Sequence, residues 1–294
     1  MTSERAALDS PAILLAALSM LAFAGNSLLC RLALERTDVD AASFTSVRLL
    51  SGALMLWLLV LARRPLPTAD AGSGNWRSAL ALFAYAALFS FAYLRLTAAT
   101  GALLLFGAVQ VTMIGSGLWR GERFGQLQFA GLALALGGLA VLLLPGLSAP
   151  PLGAAGLMVA AGVAWGLYSL RGARSSDALG DTAGNFRRAL PFALVLSLLT
   201  IPQARIDPLG MMYAVASGAL ASGLGYAIWY AVLPRLTAMR ASVMQLSVPV
   251  VTAAGGVLLL DETPGLRLLL CSAAVLGGVL VVMLAPAVGR PGRQ

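Results

Sequence analysis

Histidine and lysine are both missing from this 294-residue chain, only 11% of its residues are charged, and it holds just two cysteines. Without histidine there is neither an imidazole base nor the commonest nitrogen ligand for a metal. An enzyme of nucleophile-and-base or metal type is therefore disfavoured, and no cofactor or metal is expected. Without lysine, and with few cations inside apolar segments, the multiply cationic cavity that a phosphate or nucleotide-sugar carrier wants is missing as well. Cys30 and Cys271 lie in apolar stretches, one in each half of the chain, where they read as packing residues and not as a disulfide framework. The twelve acidic residues fall in loops or at segment ends, which argues against a proton-coupled antiporter with a carboxylate at mid-membrane.

What is present in quantity is apolar surface. Hydrophobic residues make up 59% of the chain and the mean hydropathy is +0.87, whereas a soluble domain carries about 25% charged residues. A helix needs about 20 mostly apolar residues to cross the hydrocarbon. Cutting at charges and Pro/Gly clusters gives ten spans, roughly 11–31, 41–62, 76–94, 97–119, 126–145, 152–170, 184–202, 208–233, 237–260 and 265–286. The first outruns a signal-peptide core and lacks a small-residue cleavage site, so it is read as a helix. The expected class is an all-α polytopic membrane protein, and the connecting loops leave no room for a soluble domain.

The net charge of +8 comes from 20 arginines. Placed on the ten spans they alternate by side, with 14 on one side, 5 on the other, and Arg48 inside a helix. The charge thus reports topology, not a nucleic-acid partner, and the positive-inside rule puts both termini in the cytoplasm. The expected location is a bacterial inner membrane.

Sliding the chain by 140 residues aligns "RLTA" at 95 with "RLTA" at 235, Glu122 with Glu262, and Gly137 and Gly138 with Gly277 and Gly278. Residues 95–144 share 16 identities in 50 positions with 235–284, far above the roughly one in ten that an Ala/Leu-rich composition gives, so this is an internal repeat. Arg48 falls on Arg188, and at a slightly different shift "FAGNS" at 23–27 falls on "WGLYS" at 165–169. Residues 1–149 and 150–294 are read as two five-helix units. Five is odd, so the second enters the membrane from the opposite side, and an inverted repeat places its substrate site near the midplane between halves.

Ten helices in paired halves, a short acidic turn after the fourth helix of each ("GERFG", "DETPG"), and a Gly-Gly helix after that turn resemble the EamA branch of the drug/metabolite transporter superfamily. The resemblance covers nearly the whole chain, and within the branch it points toward bacterial exporters of aromatic amino acids. One departure is visible: a proline common in the fourth helix of these halves is present as Pro249 but replaced by Val109 in the first. The resemblance implies a carrier working by alternating access, without cofactor.

Aromatic residues are the positive signal for a site. Tyr85, Phe89 and Tyr93 share a face of the third helix, Tyr226, Trp229 and Tyr230 one of the eighth, and the sixth adds Trp165 and Tyr168. Tyr93 and Tyr230 lie near enough to span ends to serve as interfacial belt residues. Tyr85, Phe89, Trp165, Tyr168, Tyr226 and Trp229 are candidates to line a pocket for an amphipathic solute, with Asn26, Gln110 and Gln245 as polar contacts. Packing is the plain alternative for the rings, and helix-to-helix bonding for the amides. The glycines of the fifth and tenth helices read as a packing seam; a monomer suffices, and a homodimer is compatible. Arg48, Arg188, Glu122 and Glu262 are candidate gates, an outer latch of Arg48 with Glu262 and an inner latch of Arg188 with Glu122 that alternate as the halves rock; snorkelling to lipid phosphate or capping a neighbouring helix is the alternative. The function expected is uniport export of amino acids, aromatic ones first, or similar small metabolites, with the small solute and the bilayer as partners. A broad drug or metabolite exporter is the second reading, and a receptor or scaffold the one from another class.

Overall fold

A computed structural model describes residues 10–63, 74–119, 125–144, 149–172, 175–232, 245 and 247–285. The described residues form helices α1 (Ser10–Arg36), α2 (Ala41–Ala62), α3 (Trp76–Tyr93), α4 (Ala98–Trp119), α5 (Gln126–Leu143), α6 (Leu152–Gly172), α7 (Ala178–Leu199), α8 (Pro208–Val232), α9 (Ser247–Leu260) and α10 (Leu266–Leu284), without a strand. α1, α2, α4, α6 and α8 contain stretches long and apolar enough to cross a bilayer. α1 runs on past the expected 31 to Arg36, and the beginning of the expected ninth span, 237–244, lies outside the described residues.

Several loop acids prove to start helices. The Asp40 carboxylate accepts from the backbone N–H of Ala42 and Ser43, Asn75 from Ser78, Asp177 from Gly180 and Asp207 from Gly210. These side chains satisfy N–H groups that a helix start leaves without a carbonyl partner. In the "DETPG" turn, Asp261 adopts a left-handed backbone, φ 56°, a conformation that Asp tolerates better than most residues.

The halves exchange contacts in a two-fold pattern. α1 packs on α8 and α9, as its counterpart α6 packs on α3 and α4; α2 packs on α7 and α8, as α7 packs on α2 and α3; α5 pairs with α10. Two of the seam glycines are consumed within the chain, a Cβ on Gly278 lying 2.5 Å from the Gly131 carbonyl and one on Gly138 3.0 Å from Ala274, while a Cβ on Gly137 or Gly277 would meet nothing within 4 Å. The chain ends that meet confirm the alternation. On one face, Arg63 after α2 binds Asp177 before α7 in a two-pronged ion pair, and Gly74 and Asn75 before α3 donate to Asp181 and Asn185 at the start of α7. On the other, Arg36 at the end of α1 meets Asp261 after α9 at 2.8 Å, and the Arg205 N–H before α8 meets Asp40 before α2 at 2.8 Å. Leucines and aromatics such as Leu54, Trp57, Phe129, Leu194, Leu198, Leu258 and Leu270 cover the perimeter, exposed as a lipid-facing surface requires.

The hydrogen bonds from Arg63, with the Gly180 N–H and the Arg63 charge, hold the Asp177 carboxyl below its ordinary value in spite of its burial. For Asp40, burial works the other way and is outweighed by bonds from Ser43, Arg205 and Ala42, so its carboxyl is also lowered. A carboxyl depressed in the folded state contributes stability that is present above its unfolded pKa of about 3.9 and lost as pH falls through the lower folded value. The melting temperature of the detergent-solubilised protein is expected to fall on acidification below about pH 4. Asp177→Asn, which keeps a capping oxygen, should lower stability at pH 7 by about 1 to 2 kcal/mol through the lost ion pair with Arg63, and flatten part of that acid dependence. A melting curve unmoved by the substitution would show the pair to be idle.

Candidate functional site

Five aromatic side chains from four helices and both halves meet at the centre. Phe23 on α1 stands edge-on to Trp165, Tyr226 and Trp229, with ring centroids at 6.3, 5.8 and 6.0 Å. Trp165 on α6 lies 4.9 Å from Tyr85 on α3 and 5.0 Å from Tyr226 on α8, and it stacks on Tyr168 at 5.5 Å. These are the offset and edge geometries that ring quadrupoles prefer. Between them, Phe23, Asn26, Ser27, Tyr85, Leu105, Phe106, Trp165, Ala221 and Tyr226 line a cavity of about 10 Å³, room for about one water. The rings are closed on one another.

A polar chain runs along one wall. The Tyr85 hydroxyl accepts from Asn26 Nδ2 at 3.0 Å and from Arg48 Nη2 at 3.1 Å, and the Ser217 hydroxyl donates to Asn26 Oδ1 at 2.6 Å. Arg48 Nε donates to the Ser222 hydroxyl at 3.4 Å, and its guanidinium lies over the rings of Tyr85 and Phe89 at 5.1 and 4.9 Å. Both serines belong to a π-helical stretch, Ser217–Leu224, inside α8. Such wide turns are rare and concentrate at functional sites. Gly218 within it lets α8 touch α2, since a Cβ there would lie 2.1 Å from the Arg48 carbonyl oxygen.

Of the residues singled out from sequence, Asn26, Tyr85, Trp165 and Tyr226 line this cavity, Trp229 and Tyr168 back it, and Phe89 packs between Tyr85, Tyr93 and Arg48. Tyr93, considered for an interfacial belt, is instead fully buried, with its hydroxyl donating to the Ala98 carbonyl at 3.3 Å. Gln110 and Gln245 are buried away from the cavity lining, and neither amide atom of Gln110 has a hydrogen-bond partner. Phe23, Ser217 and Ser222 had not been singled out. The repeat held the signal for Phe23, because the shift that aligns "FAGNS" with "WGLYS" sets it on Trp165.

The gate residues are placed differently from the expected pairing. Glu262 accepts from the Ala98 N–H at 2.7 Å, capping α4 of the other half, and its ionic neighbour is Arg31 at 3.7 Å. Arg48 lies on Tyr85 and Ser222 instead. The reason is depth: Arg48 is eight residues past the Asp40 cap, about 12 Å along the helix axis, whereas Glu262 sits where the chain emerges. Arg188 donates to the Gly184 carbonyl at 3.3 Å and lies 6.0 Å from the Trp76 ring. Glu122 falls outside the described residues.

A multi-helix fold of two equivalent halves, closed around a small central cavity, defines a membrane carrier of the inverted-repeat class. The model of the EamA-like transporter family matches residues 10–144 and again 152–284, so the chain belongs to that family. An uncharacterized protein of Pseudomonas aeruginosa is 58% identical over 287 residues, covering 97% of this chain and 99% of that one. An uncharacterized transporter of Archaeoglobus fulgidus is 27% identical over 270 residues, covering 87% and 92%. A solved crystal structure of a protein 20% identical shares the fold, with a TM-score of 0.62 over 94% of this chain and 98% of that one.

Tyr85→Phe removes one acceptor from two buried donors, Asn26 and Arg48, and is expected to cost about 1 to 3 kcal/mol of stability, measured as a loss of melting temperature. Gly218→Ala drives a methyl into the α2 backbone; it should cost at least as much and lower the yield of folded protein. Wild-type stability in both variants would remove the hub from the account.

Proposed function

We propose that this protein is a facilitative exporter of small amphipathic metabolites, with aromatic amino acids the best single candidate. It resides in a bacterial inner membrane with both termini cytoplasmic, and it works by alternating access. The observation that carries the reading is the aromatic cluster: Phe23 and Tyr85 from the first half and Trp165 and Tyr226 from the second close on one cavity, with Trp229 behind them against Phe23. Rocking the halves apart on either side would open a pocket with ring faces for an apolar group and Asn26, Tyr85 and Ser27 for polar ones. The resemblance to bacterial aromatic amino acid exporters supports the choice of solute. The excess of arginines on the termini's side supports the orientation.

Among the described residues no carboxylate lines the cavity; Asp40, Asp177, Asp207, Asp261 and Glu262 are all committed to helix caps or turns. A solute moving down its own gradient needs no titrating group, which favours uniport over proton exchange.

Purified protein in liposomes should carry labelled phenylalanine or tryptophan faster than glycine or alanine, and should do so by counterflow with both compartments at one pH. Trp165→Ala or Phe23→Ala should weaken aromatic solute binding about two- to tenfold, the worth of one ring pair. Counterflow that vanishes without a pH gradient would contradict uniport. Ring variants that fold well and transport unchanged would contradict the site.

A further inference from the structure

Arg48 is a cation 2% exposed inside an apolar helix, and among the described residues it has no counter-ion within salt-bridge reach. The ion pairs among the described residues join Arg31 to Glu35 and Glu262, Arg36 to Asp261, and Arg63 to Asp177, and none involves Arg48. Its partners are two neutral hydroxyls, on Tyr85 and Ser222, and two ring faces, Tyr85 and Phe89. Nη1 is buried, and among the described residues it has no acceptor. An ionisable group at such depth is costly, and an uncompensated buried charge more so. Snorkelling would relieve it, but the side chain points inward, on the buried stripe of α2 that runs through Ala41, Thr45, Arg48, Gly52 and Leu56.

The surroundings are shaped to hold the cation without neutralising it. Ring faces and hydroxyls orient the guanidinium plane, while leaving its field and its Nη1 N–H groups for an incoming acceptor. The π-helical turn of α8 supplies the Ser222 hydroxyl, and Gly218 brings that turn against the Arg48 backbone. Tyr85 belongs to both groups: it lines the central cavity, and its hydroxyl occupies Nη2. Arg48 therefore stands directly behind the cavity wall, with a weak neutral acceptor between it and the solute.

We propose that Arg48 is the anion subsite of the carrier. The carboxylate of the transported solute replaces the Tyr85 hydroxyl at Nη2 and engages Nη1 as the second prong of a bidentate pair, while the Phe23–Trp165–Tyr226 rings hold the apolar remainder. The favoured substrates are thus aromatic or similar apolar compounds with a free carboxylate, not amines or neutral drugs. A charge-assisted fork also gives the closed state a solute-dependent bond between α2 and the site. This assignment rests on the transport reading above.

The test compares two neutral-pH probes of one shape, 3-phenylpropionate and 3-phenylpropionamide, binding to the intact wild-type protein, read by tryptophan fluorescence. The carboxylate should bind at least about tenfold tighter than the amide. In Arg48→Gln the two affinities should converge by loss of carboxylate binding alone, and in Arg48→Lys, which keeps the charge but not the fork, the preference should be intermediate. Equal binding of the two probes by the wild-type protein overturns the subsite even if Arg48→Gln does not fold, and so does a carboxylate preference that survives Arg48→Gln. If the amide binds and phenylalanine is carried, the transport reading stands without the anion subsite. If no probe binds and no aromatic solute is carried, both fall.

Discussion

An odd number of helices in each half constrains everything else in this molecule. Repeating a five-helix unit inverts it, so residues at equivalent positions emerge on opposite faces, and each face is built from unlike parts of the two halves. The contacts obey this: Arg63 and Asn75 of the first half meet Asp177 and Asn185 of the second on one face, while Arg36 and Asp40 meet Asp261 and Arg205 on the other. At mid-depth the inversion brings equivalent helices α1 and α6 to either side of one cavity, which is why Phe23 and Trp165 touch. A chain whose halves cross in opposite senses can pack the same helices in two ways, and the proposed alternating access rests on that degeneracy.

Inside the apolar bundle, polar groups must be answered by protein, because lipid answers none of them. Four side chains on four helices, Asn26, Arg48, Tyr85 and Ser217, answer one another in a chain that crosses from the first half to α8 of the second. The chain fixes the relative positions of α1, α2, α3 and α8 around the rings. Among the described residues it is incomplete at Arg48 Nη1, and the same guanidinium is bonded through Nη2 to Tyr85, which lines the cavity. Satisfied networks rigidify, whereas a gap in one marks where a ligand enters the accounting of hydrogen bonds.

The helices, their order and the pairing of halves were legible because hydropathy and an ungapped internal match are long-range signals, averaged over many residues. Tyr85, Trp165 and Tyr226 were legible as helical stripes. Phe23 stood alone on its helix and carried no stripe, although the repeat placed it opposite Trp165. The π-helical turn was hidden because "SGALASGL" reads equally well as a small-residue packing seam. The partners that Arg48 has in this structure, Tyr85 and Ser222, were not legible because topology gives the side and approximate depth of a residue but not its helical face. The small-residue stripe Ala41, Thr45, Gly52 was the sign that Arg48 faces protein and not the surface. Glu262 was read as a gate because its charge was visible and the N–H of Ala98, from a distant part of the chain, was not.

In the proposed cycle the two faces open in exchange around one shared site. Spin labels at Trp76 and Arg171 report the separation of the halves on one face, and labels at Arg95 and Thr263 report it on the other; all four positions are exposed. Pulsed dipolar measurements in nanodiscs, with and without saturating phenylalanine, should show the population gaining distance at one pair as it loses distance at the other. Two distributions that widen together, or a single unchanged distance at both pairs while transport proceeds, would contradict the account.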